Sequence, residues 1–248
     1  MQSVRHRLAA LSVAVAMVAL ATGQAWAAFI DLTPQGNASN SNDTVKLSEL
    51  IAQEVEGIIV GDKVFTGFSY SAIGDVPVAG DVNVLGFRDF SGNWGISFHG
   101  AFADLPGGGF SDALIRFMVE VDAQSAAQGW RIHDAHLNIG GVGLGAESFV
   151  GVDESFAENN ATLSAVRSTL GGGSVSDLSD STVFQPVLKL SVTKDILLIS
   201  GDANLPARTT VIDQSFSQIL IPEPASVALI GIGLAMMGWF GYRGRSAK

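Results

Sequence analysis

Two histidines, His133 and His136, form the closest-spaced histidine pair in the chain. On a helix, three-residue spacing would put both imidazoles on one face, where they could share a metal ion. The surrounding residues instead predict a strand over 130–139, in which an odd spacing sends the two side chains to opposite faces. We therefore predict two independent strand histidines and no shared metal. His99 has no partner that the sequence identifies.

Acidic residues in predicted turns are the candidates for a calcium site, because Ca²⁺ takes oxygen ligands. They are Asp75, Asp81, Asp104, Asp112, Asp153 and Glu154. The sequence contains neither an EF-hand loop nor a nonapeptide repeat, and solvated turns are the ordinary explanation for such residues. We predict no cofactor and keep calcium as an alternative.

Three aromatic residues could contact carbohydrate from a sheet face or a loop: Trp94, Trp130 and Tyr70. An aromatic side chain on a strand is more often part of the core, so packing is the competing interpretation of each.

The sequence contains no motif that identifies a catalytic residue. The sequence has no Gly-x-Ser-x-Gly elbow, and neither 107–109 nor 171–173 has the Lys-Ser/Thr that follows a phosphate-binding glycine loop. A glycosidase needs two carboxylates at a defined separation, and the sequence cannot select such a pair. We predict no catalytic residue, and a secreted hydrolase is the least favoured alternative.

The composition excludes several further classes of function. The chain has no cysteine, so it has no disulfide framework, thiolate metal site or cysteine nucleophile. Apart from the two terminal segments, it contains 9 basic and 23 acidic residues, a net charge of −14. Nucleic acid is not expected as a partner, because phosphate contacts depend on clustered Lys and Arg.

Short strands are the elements predicted to position these residues. One short helix is expected at 46–53, where Leu47, Leu50 and Ile51 share a face. Strands are predicted at 57–60, 63–71, 82–87, 94–100, 113–121, 130–139, 147–152, 162–167, 182–192, 195–200 and 209–216. This pattern predicts an all-β fold, with one antiparallel β-sandwich or jelly-roll-like domain over 46–221. Alternatively, the glycine-rich loops at 105–109 and 171–174 could divide the region into two small domains.

A hairpin is predicted around Gly61 and Asp62. Strict alternation in its second arm places Phe65 on one face and Phe68 on the other.

The N-terminus predicts an export signal. Residues 1–27 contain a basic start, an apolar stretch and the small residues Ala25 and Ala27, so cleavage is expected between Ala27 and Ala28. An uncleaved anchor helix is the alternative. Residues 28–45 are predicted to be a flexible mature N-terminus.

The C-terminus has three parts in fixed order. Pro222, Glu223 and Pro224 precede an uncharged apolar run at 225–241, and a basic tip with Arg243, Arg245 and Lys248 follows. The run of about 17 residues is at the short end of what spans a bilayer as a helix. The basic residues would hold the tip in the cytoplasm, which leaves the domain on the other side of the membrane.

This tail resembles the sorting domain of PEP-CTERM proteins, a family of exported proteins of Gram-negative bacteria. The resemblance implies that an exosortase recognises the tail at the inner membrane and processes it near Pro222–Pro224. A permanent membrane anchor is the alternative. The family is defined by the tail alone, so the resemblance implies a location and assigns no site residue to the domain.

Together these features predict an exported protein of the cell envelope or extracellular matrix. Its expected partners are the Sec translocon, the exosortase, the inner membrane during sorting, and exopolysaccharide. A structural or adhesive, non-catalytic role is the leading prediction, and a calcium- or carbohydrate-binding surface module is the alternative.

Overall fold

The structure, a computed structural model, describes residues 28–107 and 109–221. These residues form an all-β fold of two sheets packed as a sandwich. In these two ranges, no helix is long and apolar enough to cross a membrane. The predicted signal peptide and sorting tail lie outside the described residues, and so do Ala25, Ala27, Pro222, Glu223, Pro224, Arg243, Arg245 and Lys248. Ala28 is described and exposed.

The described elements are short helices and strands. The helices are α1 (Leu47–Ile51) and α2 (Ala123–Ala127). The strands are β1 (Phe29–Asp31), β2 (Val45–Lys46), β3 (Gly57–Val60), β4 (Lys63–Ile73), β5 (Asn83–Arg88), β6 (Trp94–Asp104), β7 (Ser111–Val121), β8 (Trp130–Gly140), β9 (Phe149–Phe156), β10 (Thr162–Ser168), β11 (Val175–Asp177), β12 (Ser179–Val187), β13 (Lys189–Ile199), β14 (Ala207–Phe216) and β15 (Gln218–Leu220).

One sheet has eight strands in the order β1-β3-β4-β7-β13-β9-β10-β11. The other has seven, in the order β12-β8-β14-β6-β5-β2, with β15 paired to β8. The β1–β3 pair is parallel, and the other strand pairings within the described ranges are antiparallel. The sandwich prediction is therefore confirmed at the level of fold class.

Phenylalanines from both sheets fill the space between them. Phe98 of β6 lies 5.9 Å from Phe117 of β7, measured between ring centroids, and Phe65 of β4 lies 6.2 Å from Phe216 of β14. Each pair joins the two sheets, and all four side chains are buried. Tilted pairs at such distances contribute about 0.5–1.5 kcal/mol beyond the area they bury.

The predicted helix and hairpin are both present. Helix α1 buries Leu47 and Leu50, and Glu49 accepts a hydrogen bond from the backbone N–H of Lys46 at its start. The hairpin turn has Gly61 at φ +61°, a backbone conformation that favours glycine.

Three predicted segments differ from the structure. Residues 28–45 contain β1 and β2, and Leu32 and Val45 are buried there, so the prediction of a flexible segment is corrected. The strand predicted at 182–192 is two strands, β12 and β13, in different sheets, because the chain crosses between sheets at Leu188. The strand predicted at 195–200 continues β13.

The face assignment in the second arm of the hairpin is wrong. Phe65 and Phe68 both face the interior, where each lies against Phe117. The pairing of β4 with β7 shifts register between Thr66 and Ser69, and Gly67 has φ +66°. A β-bulge at this point reverses the alternation for the rest of the strand.

Candidate functional site

A cleft of about 550 Å³ lies on the outer face of the seven-stranded sheet. We call it the outer cleft. Its lining comes from β5, β8, β12, β14 and the segment around Ser39, and it combines polar or charged residues with the apolar Phe87, Phe90 and Leu137. Its polar side chains include Asp89, His136, Asn138, Asp180, Asp213 and Ser215.

Alternation along β14 and β8 directs polar side chains into the cleft. Asp213 lies between buried Ile212 and Gln214, and Asn138 lies between buried Leu137 and Ile139, so both point away from the core. Oδ1 of Asp213 accepts a hydrogen bond of 2.5 Å from Oγ of Ser97, and Oδ2 accepts one of 3.3 Å from Nδ2 of Asn138. The cleft floor therefore has a carboxylate and an amide held in place by their neighbours.

The turn between β5 and β6 forms one wall of the cleft. The carboxylate of Asp89 accepts hydrogen bonds from the backbone N–H groups of Ser91 and Asn93, both at 2.9 Å, and from Oγ of Ser215 at 2.7 Å. Burial alone would raise the pKa of Asp89, but these hydrogen bonds outweigh burial and hold the pKa below its usual value. The carboxylate thus stays ionised and fixes the turn.

Phe90 projects from this turn and is fully exposed, with a relative accessibility of 110%. It lines the outer cleft and also a neighbouring pocket of about 360 Å³, which shares Ser39, Arg88 and Asp89 with the cleft. The aromatic ring therefore stands between two adjoining depressions, and a chain-like ligand lying along both would pass over it.

His136, one of the histidine pair, lines the cleft from β8, and both imidazoles are on the same face of the sheet. Ile132 and Ala135 are both fully buried although they are three residues apart, so a β-bulge shifts the alternation in β8 between them. Asp134 lies between the imidazoles: Nε2 of His136 is 3.2 Å from Oδ1 and Nδ1 of His133 is 3.5 Å from Oδ2. The prediction that the histidines occupy opposite faces is wrong. Across residues 28–107 and 109–221, no group of three His, Cys, Asp or Glu side chains is arranged to hold a metal ion.

The Asp134–His136 contact perturbs both groups. Burial acts to raise the pKa of Asp134, but hydrogen bonds from His136 and Ser217 outweigh it and lower the pKa to about 2. The hydrogen bond to Asp134 raises the pKa of His136 against the opposing effect of burial. His136 therefore brings positive charge to the cleft over a wider pH range than an isolated histidine.

The three aromatic residues singled out from the sequence are used in packing. Trp94 packs against the core and covers the hairpin turn at Gly61, and Cζ of Arg88 lies 5.0 Å from its ring centroid. Trp130 also packs against the core, and the two tryptophans line a small pocket of about 190 Å³. The hydroxyl of Tyr70 donates a hydrogen bond of 2.6 Å to the carbonyl of Pro77, and burial raises the pKa of Tyr70 to about 12.

The proposed calcium ligands are dispersed. Asp104 is buried and accepts hydrogen bonds of 2.7 Å from Oγ of Ser111 and from the N–H of Ser200. Oδ2 of Asp75 accepts one of 3.0 Å from the N–H of Leu105. Asp81 ends a short 3-10 turn. The carboxylates of Asp75 and Asp104 therefore have hydrogen-bond partners within the fold.

Three other acidic side chains have different surroundings. Asp112 and Asp153 lie on the outer face of the eight-stranded sheet with Asp195, which is directly opposite Asp153 in the β13–β9 pairing. Burial, with Asp112 and Asp153 beside it, raises the pKa of Asp195 to about 6. Glu154 does not lie in a turn, as the sequence suggested, but is buried inside the sandwich beside Lys194.

Sequence reasoning missed the residues that form the outer cleft, namely Phe90, Asp89, Asn138, Asp180 and Asp213. Phe90 carried a usable signal, because it follows Asp89 and precedes Ser-Gly-Asn in a predicted turn, where no strand packs an aromatic ring. The polar residues of β8 and β14 carried no such sequence signal, because strand pairing is what brings them together in the cleft.

The chain matches no protein-family model, and no curated protein matches it. Two solved structures are similar in part. One comes from work on the promiscuous specificity of carbohydrate-binding modules of the β-sandwich superfamily, with 10% identity, a TM-score of 0.28 and coverage of 62% of this chain and 57% of that one. The other is a family 11 carbohydrate-binding module from Clostridium thermocellum in complex with a β-1,3-1,4-mixed-linked tetrasaccharide, with 7% identity, a TM-score of 0.22 and coverage of 62% of this chain and 89% of that one. Scores this low carry no argument about what this chain binds.

Proposed function

We propose that this protein is an exported carbohydrate-binding protein that holds a neutral polysaccharide in its outer cleft. The observation that carries the proposal is the exposed ring of Phe90, which stands on a fixed turn between two adjoining depressions. An aromatic ring so exposed loses no packing when a ligand covers it, and it gains the burial of its apolar face.

The polar lining suits a ligand rich in hydroxyl groups. Carboxylates at Asp89 and Asp213 accept hydrogen bonds, whereas the amide of Asn138 both donates and accepts. Asp180 adds a further carboxylate at the β12 side of the cleft. A sugar ring presents hydroxyls at its edge and C–H groups on its face, so it can satisfy both the polar floor and the ring of Phe90.

Charge favours a neutral glycan over an acidic one. Three aspartates line the cleft against two cationic side chains, Arg88 and His136, so carboxylates outnumber cations there, and the domain as a whole is strongly acidic. Uronic acids or sulfated sugars would meet like charge there, which disfavours their binding.

The protein is proposed to bind the polysaccharide without hydrolysing it. Glycoside hydrolysis needs a carboxylic acid whose pKa is raised so that it can donate a proton. Asp89 is held ionised by its hydrogen bonds. Retardation of the full-length protein in gels that contain a neutral polysaccharide, with no release of reducing sugar, tests the proposal.

We further propose that the two chain ends deliver this domain to the cell exterior. The support is the residue pattern alone: the export signal at 1–27, and the tail with Pro222, Glu223, Pro224 and its basic tip. A matrix or envelope protein that binds exopolysaccharide would need both the export and sorting signals and the outer cleft.

A further inference from the structure

The interior of the sandwich contains a buried polar cluster of Glu154, Lys194 and Gln214. Glu154 and Lys194 lie on the neighbouring strands β9 and β13 of the eight-stranded sheet, and Gln214 lies on β14 of the opposite sheet. Their exposed fractions are 2%, 0% and 0%, respectively. Each is flanked at i±2 by buried apolar residues, so all three point into the core.

The amine of Lys194 contacts both partners. Its Nζ contacts Oε2 of Glu154 and donates a hydrogen bond of 2.9 Å to Oε1 of Gln214. A carbonyl bond is about 1.23 Å long, so Cδ of Gln214 lies no more than about 4.1 Å from Nζ. The nucleophilic nitrogen therefore stands beside an amide carbon that carries a potential leaving group.

The remaining two atoms of the cluster are buried without a hydrogen-bond partner: Oε1 of Glu154 and Nε2 of Gln214. Unsatisfied buried polar atoms destabilise a fold, and buried ion pairs often contribute less than apolar side chains of the same volume. A purely structural role therefore explains the cluster poorly.

Burial also prepares the groups for chemistry. It lowers the pKa of Lys194, and it raises the pKa of Glu154, in each case against the attraction between the two charges. Both shifts favour the neutral pair, in which the proton has moved from the ammonium group to the carboxylate. A neutral amine is the nucleophilic form of lysine.

We infer that Lys194 and Gln214 form an intramolecular amide cross-link, with Glu154 as the group that moves the proton. Glu154 takes one proton from the Lys194 ammonium group, and the free Nζ attacks Cδ of Gln214. The new Nζ–Cδ bond forms and the Cδ–Nε2 bond breaks. Glu154 relays a proton from Nζ to Nε2, which leaves as ammonia. The products are one secondary amide, a protonated Glu154 and ammonia, so atoms and charge balance without an oxidant or cofactor.

The cross-link would join the two sheets covalently through β13 and β14. This chain has no cysteine and hence no disulfide to perform that task. β14 is also the last long strand before the C-terminal tail, so the amide would tie this strand to the centre of the opposite sheet.

Peptide mapping of the full-length, denatured protein tests the inference. Trypsin cleaves after Lys194 and after Arg208, and both sites lie between Lys189 and Gln214. A cross-link blocks the first site and keeps peptide 190–208 joined to the peptide that begins at Thr209, at a mass lower than the sum by one ammonia. Recovery of only the linear peptides 190–194 and 195–208 would overturn the inference. A mass lower by one water, with the link at Glu154, would overturn the assignment of Gln214.

Two variants separate the chemistry from the fold. Gln214→Met removes the acyl group but leaves the Lys194–Glu154 pair, so it should fold and yield only linear peptides. Gln218→Met is the matched control, because Gln218 also has a buried, unpartnered Nε2, and it should keep the cross-link. If Gln214→Met failed to fold, the wild-type peptide map would still decide. A cross-linked peptide in Gln214→Met, or its loss in Gln218→Met, would contradict the assignment.

Discussion

Ser215 donates a hydrogen bond of 2.7 Å from its Oγ to Oδ2 of Asp89, and this contact joins the floor of the outer cleft to the turn that presents Phe90. Ser215 is almost fully buried in β14, whereas Asp89 begins the β5–β6 turn. The sheet therefore sets the position of the turn, and the aromatic ring is in place before a ligand arrives. Such preorganisation reduces the entropic cost of binding.

Removal of the Asp89 carboxylate should weaken both the turn and the cleft. Asp89→Ala loses the hydrogen bonds from Ser91, Asn93 and Ser215, so we expect a loss of about 1–3 kcal/mol in unfolding free energy and about tenfold weaker glycan binding. Urea unfolding and affinity electrophoresis measure the two effects. Ser91→Ala is the matched control, because Ser91 contacts Asp89 through its backbone N–H. Equal losses in both variants would contradict this role of the carboxylate.

The Asp134–His136 pair should make stability depend on pH. The raised pKa of His136 contributes stability below about pH 6.5, the usual histidine value, and that contribution is lost as pH rises through the folded-state pKa. The pKa of Asp134 is lowered to about 2, so its contribution is present above about pH 4 and is lost as pH falls towards 2.

Both contributions are therefore present between about pH 4 and 6.5. The difference in unfolding free energy between wild type and His136→Asn should be largest in this window and smaller at pH 8. We expect less than about 1 kcal/mol, since His136 is partly exposed and solvent screens the pair. A difference that stays constant from pH 5 to 8 would show that the imidazole charge has no part in it.

Asp195 is expected to be destabilising when ionised. Burial raises the pKa of Asp195 to about 6, and Asp112 and Asp153 add to the shift. Asp153 lies directly opposite Asp195 in the β13–β9 pairing. Because the folded protein binds this proton more tightly than the unfolded chain, the stability cost appears as pH rises from about 4 through 6. Asp195→Asn should stabilise the fold at pH 7 by up to about 1 kcal/mol after solvent screening, with little gain at pH 4.

Thermal unfolding at the two pH values checks this expectation. Asp177→Asn, in β11 at the edge of the same sheet, is the control for loss of one negative charge. An equal gain from both variants would assign the effect to net charge and not to the burial of Asp195 beside Asp112 and Asp153.

Replacement of Pro222, Glu223 and Pro224 by alanine tests the proposed role of this motif as a sorting signal. If an exosortase reads this motif, the variant should stay in the inner membrane with its tail intact, whereas the wild type loses the tail. Mass spectrometry of the C-terminus in each cell fraction measures this. A variant released with the same C-terminus as wild type would rule out sorting through the motif.

Local features of the fold could be predicted from the sequence. The Gly61-Asp62 turn, helix α1 and most strand positions depend on residues close together in the chain. The bulges in β4 and β8 could not be predicted from the sequence. A bulge depends on the register of the partner strand, and it produces no recognisable periodicity in the hydrophobicity of its own strand. This is why Phe68 and His136 were assigned to the wrong faces.

The site was less predictable than the fold, for a related reason. The sequence indicates Trp94 as a candidate carbohydrate contact, but Trp94 packs against the core. Phe90, four residues earlier, is not among the candidates that the sequence indicates. The turn that presents Phe90 is fixed by the hydrogen bond between Asp89 and Ser215, which are 126 residues apart. Contacts over such separations follow from sheet order, and a single sequence does not reveal that order.

We propose that the ring of Phe90 binds a neutral glycan. Affinity electrophoresis of full-length protein in gels with mixed-linkage β-glucan, dextran or mannan, and with alginate as the acidic comparison, tests it most directly. Phe110→Ala is the matched control, since Phe110 is also exposed but follows the far end of β6. We predict that at least one neutral polysaccharide retards the wild type and Phe110→Ala, and that alginate retards neither. Phe90→Ala should bind that neutral polysaccharide more weakly than the wild type by a factor of about ten or more. No retardation by any neutral polysaccharide, or equal retardation of Phe90→Ala and wild type, would contradict the account.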